Sequence, residues 1–143
     1  MSGVNLSGAL TKLAFDHPFF GTLIAMTPVI EDPGLPTLST NGERIYYNPA
    51  FIDKLTGPET LGVLMHELLH IVYLHCDPAR RNGRHPCGWN AATDFAINQE
   101  LAGWGFRLPK GALLDKKYKE LTAEAIYDQL PRGGPCRCMD YLL

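Results

Sequence analysis

Apolar and polar positions alternate along this chain in blocks, most of them with a helical period. Within residues 5–15, Leu6, Leu10 and Leu13 recur at three- to four-residue spacing and predict an amphipathic helix. His17-Pro18 interrupts it, and residues 19–25 predict a second, short helix. Residues 27–36 are rich in Pro, Gly and acid and read as extended or looped. Residues 37–40 and 43–47 are β-prone runs flanking Asn41-Gly42, a pattern that predicts a hairpin with a two-residue type I′ turn. Asn48-Pro49 closes the second strand, and residues 50–55 read as a short helical turn.

The longest apolar run, residues 61–74, belongs to a helix predicted to start near residue 57 and to run to about residue 75. Thr56 and Glu59 have capping-box spacing, with Pro58 in the first turn, and Asp77-Pro78 stops the helix. Gly62, Val63, Leu64, Met65, Leu68, Leu69, Ile71, Val72 and Leu74 surround the whole helix circumference, so the helix is expected to be buried. A polar loop over 79–88 carries Arg80, Arg81, Arg84 and His85. Further helices are predicted over 90–102, closed by Gly103 and Gly105, and from Leu121-Thr122 through 130 with Ile126 and Leu130 facing inward. Neither a repeat nor an internal linker is evident. The pattern divides into one domain over 1–130 and a flexible Gly/Pro/Cys-containing tail over 131–143.

Length and composition narrow the function. A chain of 143 residues with 45% hydrophobic and 20% charged residues suits one soluble domain with its own core. The net charge of −2 gives no general attraction to nucleic acid or anionic membrane. No apolar stretch reaches the ~18 residues of a membrane span. Residues 19–26 are apolar, but Asp16 precedes them and no basic region opens the chain, so they do not read as a secretory signal. A cytoplasmic protein is therefore expected, with Cys76, Cys87, Cys136 and Cys138 as ordinary reduced thiols. A structural zinc gathered by these cysteines and His85 is the rival use, but their spacing does not repeat the pairs that zinc fingers favour.

The chemistry lies in His66-Glu67-Leu68-Leu69-His70, an HExxH motif inside the apolar helix. Residues four apart on a helix project from one face, about 40° apart around the axis and ~6 Å along it. Both imidazoles can then reach one zinc ion, and Glu67 can reach a water on that ion rather than the ion itself. Buried imidazoles and a buried carboxylate need a metal or a hydrogen-bonded network. A catalytic zinc takes a third protein ligand. On a continuing helix His75 points about 180° away from His66, so it is expected to support the ligands or to end the helix. His85 is a further candidate. Asp94 is the stronger one, because Asn90, Asp94 and Asn98 form a four-residue polar stripe on an otherwise apolar helix.

The segments TLSTNGERIYYNP (37–49), HELLHIVYLH (66–75), WNAATDFAINQEL (89–101) and LTAEAIYDQL (121–130) together resemble a bacterial family of HExxH metallopeptidase domains. Members usually carry this domain ahead of a von Willebrand A-like domain and are often encoded near AAA+ ATPases. The resemblance implies an α+β, zincin-like fold, mainly helical, with a small β-hairpin or sheet packed over the HExxH helix. It also implies Asp94 as the third ligand. A zinc metallopeptidase follows as the leading expectation: His66, His70 and Asp94 hold Zn2+, Glu67 is the general base, and a peptide or protein is the substrate. An edge strand from the hairpin would receive the peptide by backbone hydrogen bonds. Tyr46, Tyr47, His75 and Tyr127 are the candidates for steadying the oxyanion. The competing expectation is a zinc-stabilised binding or scaffold module associated with an AAA+ ATPase or von Willebrand A-like partner. Arg80, Arg81 and Arg84 are placed to flank the cleft, or simply to be solvated.

Overall fold

Helix α4 (Gly57–Val72) is the element around which the others are arranged in the computed structural model, which describes residues 2–131, with side chains from residue 6 onward. Its start is fixed locally. The Thr56 side chain accepts from the Glu59 amide at 3.2 Å, and the Glu59 side chain accepts from the Thr56 amide at 2.9 Å, closing the expected capping box. Val63, Leu64, Met65, Leu68 and Leu69 are buried on all sides of this helix, so its stability comes from packing rather than propensity.

Three layers cover it. Leu6, Ala9 and Leu13 of α1 (Ser2–Asp16) and Ile24 of α2 (Pro18–Ala25) lie on one side. Ile97 and Leu101 of α6 (Pro86–Gly103) join the same core, as do Leu38, Ile45 and Tyr47 of the sheet and Ile52 of α3 (Pro49–Asp53). The chain after α6 crosses α4 at Gly62, where a Cβ would lie 1.9 Å from the Arg107 carbonyl oxygen; only glycine fits that crossing. On its other face α6 carries a second cluster, in which Ala92 meets Tyr118 of a 3-10 turn (Lys116–Tyr118) and Ile126 of α7 (Ala123–Gln129). The fold is thus mainly helical with a small mixed sheet.

The sheet has the order β1-β3-β2, with β1 (Val29–Glu31) parallel and β2 (Leu38–Thr40) antiparallel to β3 (Ile45–Tyr47). β1 falls in the segment expected to be extended or looped. Three residues between Pro28 and Asp32 are too few to show a strand period, and the pairing Val29↔Ile45 defines this strand through its partner. The hairpin is present, but its turn corrects the type I′ expectation. Thr40 pairs with Ile45, so residues 41–44 form the loop, and Asn41 Oδ1 accepts from the amides of Glu43 and Arg44, both at 2.9 Å. That side-chain turn supplies the reversal that a two-residue turn would otherwise make.

Two helix limits also differ. α4 ends at Val72, earlier than expected, and α6 begins at Pro86, where His85 caps it by accepting from the Cys87 amide. The loop between them holds a further turn of helix, α5 (Pro78–Arg81), capped by Asp77. The expected tail beyond residue 131, with Cys136 and Cys138, lies outside the described residues. No helix among the described residues is long and apolar enough to cross a membrane.

Candidate metal centre

The four-residue spacing of His66 and His70 puts both rings on the face of α4 that meets α6, where Asp94 projects toward them. His66 Nε2 lies 2.9 Å from His70 Nε2, and both lie 3.1 Å from Asp94 Oδ1. Among the described residues these three form the group able to hold a metal ion, with all ligand atoms within 4.8 Å of one another. Ligands about 2.0–2.2 Å from one tetrahedral ion stand roughly 3.3–3.6 Å apart, so the triangle needs to open by only a few tenths of an ångström.

The hydrogen-bond pattern supports the fit. Asn98, one turn beyond Asp94, donates its Nδ2 to the Leu113 carbonyl at 2.8 Å, which turns its Oδ1 toward His66 Nδ1 at 2.7 Å. An amide oxygen can only accept, so His66 carries its proton on Nδ1. Neutral His66 then directs a bare Nε2 lone pair at a carboxylate oxygen. A cation among these atoms removes the conflict; without one, a single proton on His70 Nε2 has to serve both the His66 lone pair and the carboxylate, in an interior where His66 is fully buried. Burial pushes the Asp94 carboxyl up, but the two imidazoles together hold it below its ordinary range. Two nitrogens and a carboxylate oxygen form a donor set that suits a divalent transition metal.

Glu67 supplies the second observation. It is buried, and its Oε1 has no hydrogen-bond partner among the described residues. Burial raises its carboxyl to about 7, with His70 lowering and Asp94 raising it. Glu67, His70 and Asp94 line a cleft of about 270 Å3 whose opposite wall is residues 35–40, β2 included. β2 is an edge strand, and the outward direction of its backbone can be read from the register. The Asn48 amide donates to the Thr37 carbonyl at 2.9 Å, so the next residue, Leu38, directs its N–H away from β3.

The other sequence candidates take different places. His85 caps α6 and does not join the triangle. His75 lies beside it: its Nδ1 is 3.1 Å from His70 Nδ1, and burial depresses its pKa to about 2. Of the residues considered for the oxyanion, His75 lines the cleft, whereas Tyr46, Tyr47 and Tyr127 do not. Tyr127 instead accepts from the His85 amide. Arg80 pairs with Glu124, Arg84 lies over the rings of Trp89 and Tyr127, and Arg81 lines the cleft. Cys76 is a free thiol in the cleft wall, but Cys87 is disulfide-bonded rather than the expected thiol. The sequence reading did not identify Asn98 as the partner of His66, although its spacing from Asp94 was the available signal.

Comparison with known proteins places the chain in a family. Residues 3–137 match a family described as "Putative metallopeptidase domain". An uncharacterized protein of Thermotoga maritima is 31% identical over 111 residues, which cover 72% of this chain. The chain spans little more than a quarter of that relative, 28% of its length. No solved structure matches significantly.

Proposed function

The chain belongs to this metallopeptidase-domain family, and from that premise we propose that it is a zinc-dependent peptidase in which Glu67 is the general base. The observation that carries the reading is the buried, unpartnered Glu67 Oε1 beside a convergent His-His-Asp group in an open cleft. A carboxylate oxygen with no partner is costly to bury, and a purely structural site would have paired it.

His66, His70 and Asp94 would hold the zinc. Bound there, zinc supplies acidity to a water molecule and polarises a carbonyl. The chain's own residues do the rest. Glu67 Oε1 takes a proton within the cleft and returns it to the leaving amine. The outward N–H of Leu38 on β2 offers an extended peptide a backbone hydrogen bond, which orients it along the cleft without strong selection for side chains. A peptide or unfolded protein segment is thus the substrate class that the site supports.

The test is paired. In Glu67→Gln, zinc content should stay at the wild-type level while peptide cleavage falls to background. In the wild type, metal analysis should find one zinc per chain. A zinc-loaded wild type that cleaves no member of a broad peptide library would favour the scaffold reading instead. The partnership with an AAA+ ATPase or von Willebrand A-like protein stays a proposal of the family resemblance.

A further inference from the structure

We propose that His75 is a positioning residue for the metal site: its Nδ1 accepts the Nδ1–H of His70 and so reserves His70 Nε2 for the metal. The inference rests on the zinc reading above and assigns a role to a residue outside the ligand set.

The two Nδ1 atoms are 3.1 Å apart, so one proton lies between them and one ring donates to the other. The choice is decided at the opposite edge of His70. Its Nε2 faces His66 Nε2 and Asp94 Oδ1, where a ligand must present a lone pair. A neutral imidazole has one N–H, so a bare Nε2 requires the proton on Nδ1. His75 must then offer a lone pair at Nδ1 and keep its own proton on Nε2. His70 would otherwise be free to exchange tautomers, and one of the two forms cannot bind. Asn98 performs the same task for His66 from the other helix. The metal histidines are thus fixed by acceptors of different chemistry, an amide oxygen and a neutral imidazole.

The chain turns sharply to bring His75 to that position. After Tyr73, Leu74 adopts φ +57, in the left-handed region. The Leu74 amide bonds back to the Ile71 carbonyl at 3.1 Å, and the His75 amide bonds to the His70 carbonyl at 3.0 Å. These are the paired bonds of a Schellman helix end, with leucine where glycine is usual. The second bond ties the backbone of His75 to the residue whose ring it supports. Trp89 of α6 completes the setting: its Nε1 donates to the His75 carbonyl at 2.9 Å, and its ring stands edge-on to the imidazole, at 84°. His75 is 6% exposed, so little of it is open to water although it lines the cleft.

Two measurements test the assignment on the full chain. In the first, zinc affinity is read by competition with a chelating dye for wild type, His75→Leu and His75→Asn. Loss of a partner to a metal-bound histidine weakens metal binding by about 10- to 100-fold, and His75→Leu should fall in that range. His75→Asn keeps an acceptor near the Nδ1 position and should recover most of the affinity. Equal zinc affinity in folded wild type and His75→Leu would overturn the inference while leaving the zinc reading intact; a wild type that binds no zinc would overturn both. The second needs no variant. Nitrogen-15 imidazole spectra of the zinc-loaded protein should show His75 protonated at Nε2 and His70 at Nδ1, and a His75 protonated at Nδ1 would refute the assignment.

Discussion

Removing the charge of Glu67 should stabilise the metal-free protein, and the effect should appear only as pH rises. Burial moves the Glu67 carboxyl from 4.5 to about 7 in the folded chain, with His70 opposing and Asp94 adding to the rise. The sign follows from which state holds the proton. Below about 4.5 both the folded and the unfolded chain are protonated at this position, and the group costs nothing extra. Between that value and about 7 the unfolded chain releases its proton while the folded chain retains it, so stability falls as pH rises. Each tenfold change in proton affinity is worth about 1.4 kcal/mol, and the full displacement corresponds to ~3 kcal/mol of stability lost by neutral pH. Glu67 is only 1% exposed, so solvent screening does not reduce this figure much.

Glutamine cannot ionise, and Glu67→Gln escapes the loss. Urea unfolding of both proteins in chelator, at steps from pH 5 to pH 8, measures the difference directly. The variant should be near wild type at pH 5 and more stable by ~3 kcal/mol at pH 8, about 6–12 °C in Tm for a chain of this size. His75, whose buried ring resists protonation, contributes its own loss of stability as pH falls below about 6.5. That term is common to both proteins and cancels in the difference. Adding zinc should abolish the variant's advantage, because a cation beside the carboxylate favours its charged form. A stability difference that stays flat with pH in chelator would refute the claim that Glu67 is a buried, uncompensated carboxylate.

Other positions make separate claims. Asp94→Ala should lose bound zinc, read by metal analysis after dialysis, and unchanged zinc content would reject Asp94 as a ligand. Gly62→Ala forces a methyl group into the Arg107 carbonyl and should cost about 1–3 kcal/mol in urea unfolding. Thr56→Ala removes one half of the α4 capping box and should cost ~1 kcal/mol. At Leu74, glycine relieves about 1–2 kcal/mol of left-handed strain but adds roughly 0.4–1 kcal/mol of unfolded-chain entropy. Leu74→Gly should therefore be neutral to slightly stabilising, whereas Leu74→Val should destabilise; the reverse order would contradict the Schellman geometry.

The candidate metal group was legible because each part of it is local. His66 and His70 need only a helix to share a face, and the apolar residues around them mark that helix as interior. The Asp94 stripe could be seen because α6 carries few other charges. What brings the stripe to the histidines is the packing of α4 on α6, and nothing in either helix alone states which face meets which. The sheet was legible only in part for the same reason. The hairpin has its turn residues in sequence, but β1 exists by pairing with β3, a partner fourteen residues or more away that no local pattern announces.

His75 shows most clearly where extrapolation along the chain stops working. Counting nine residues along an ideal helix points it about 180° away from His66, and the count fails because α4 ends at Val72. A glycine at position 74 would have signalled that end, but leucine occupies it at φ +57. A left-handed leucine is unfavourable on its own, so tertiary contacts must hold it. Those contacts are visible: the His75 amide on the His70 carbonyl, the Trp89 indole on the His75 carbonyl, and Arg80 on the Tyr73 carbonyl. The orphan carbonyls of α4 are satisfied by the same turn that carries His75 to His70. Helix termination and support of the His70 ring are therefore one structure. A change that relaxes the turn without removing the imidazole should loosen metal binding as well as the helix end, which separates this arrangement from a histidine that merely fills space.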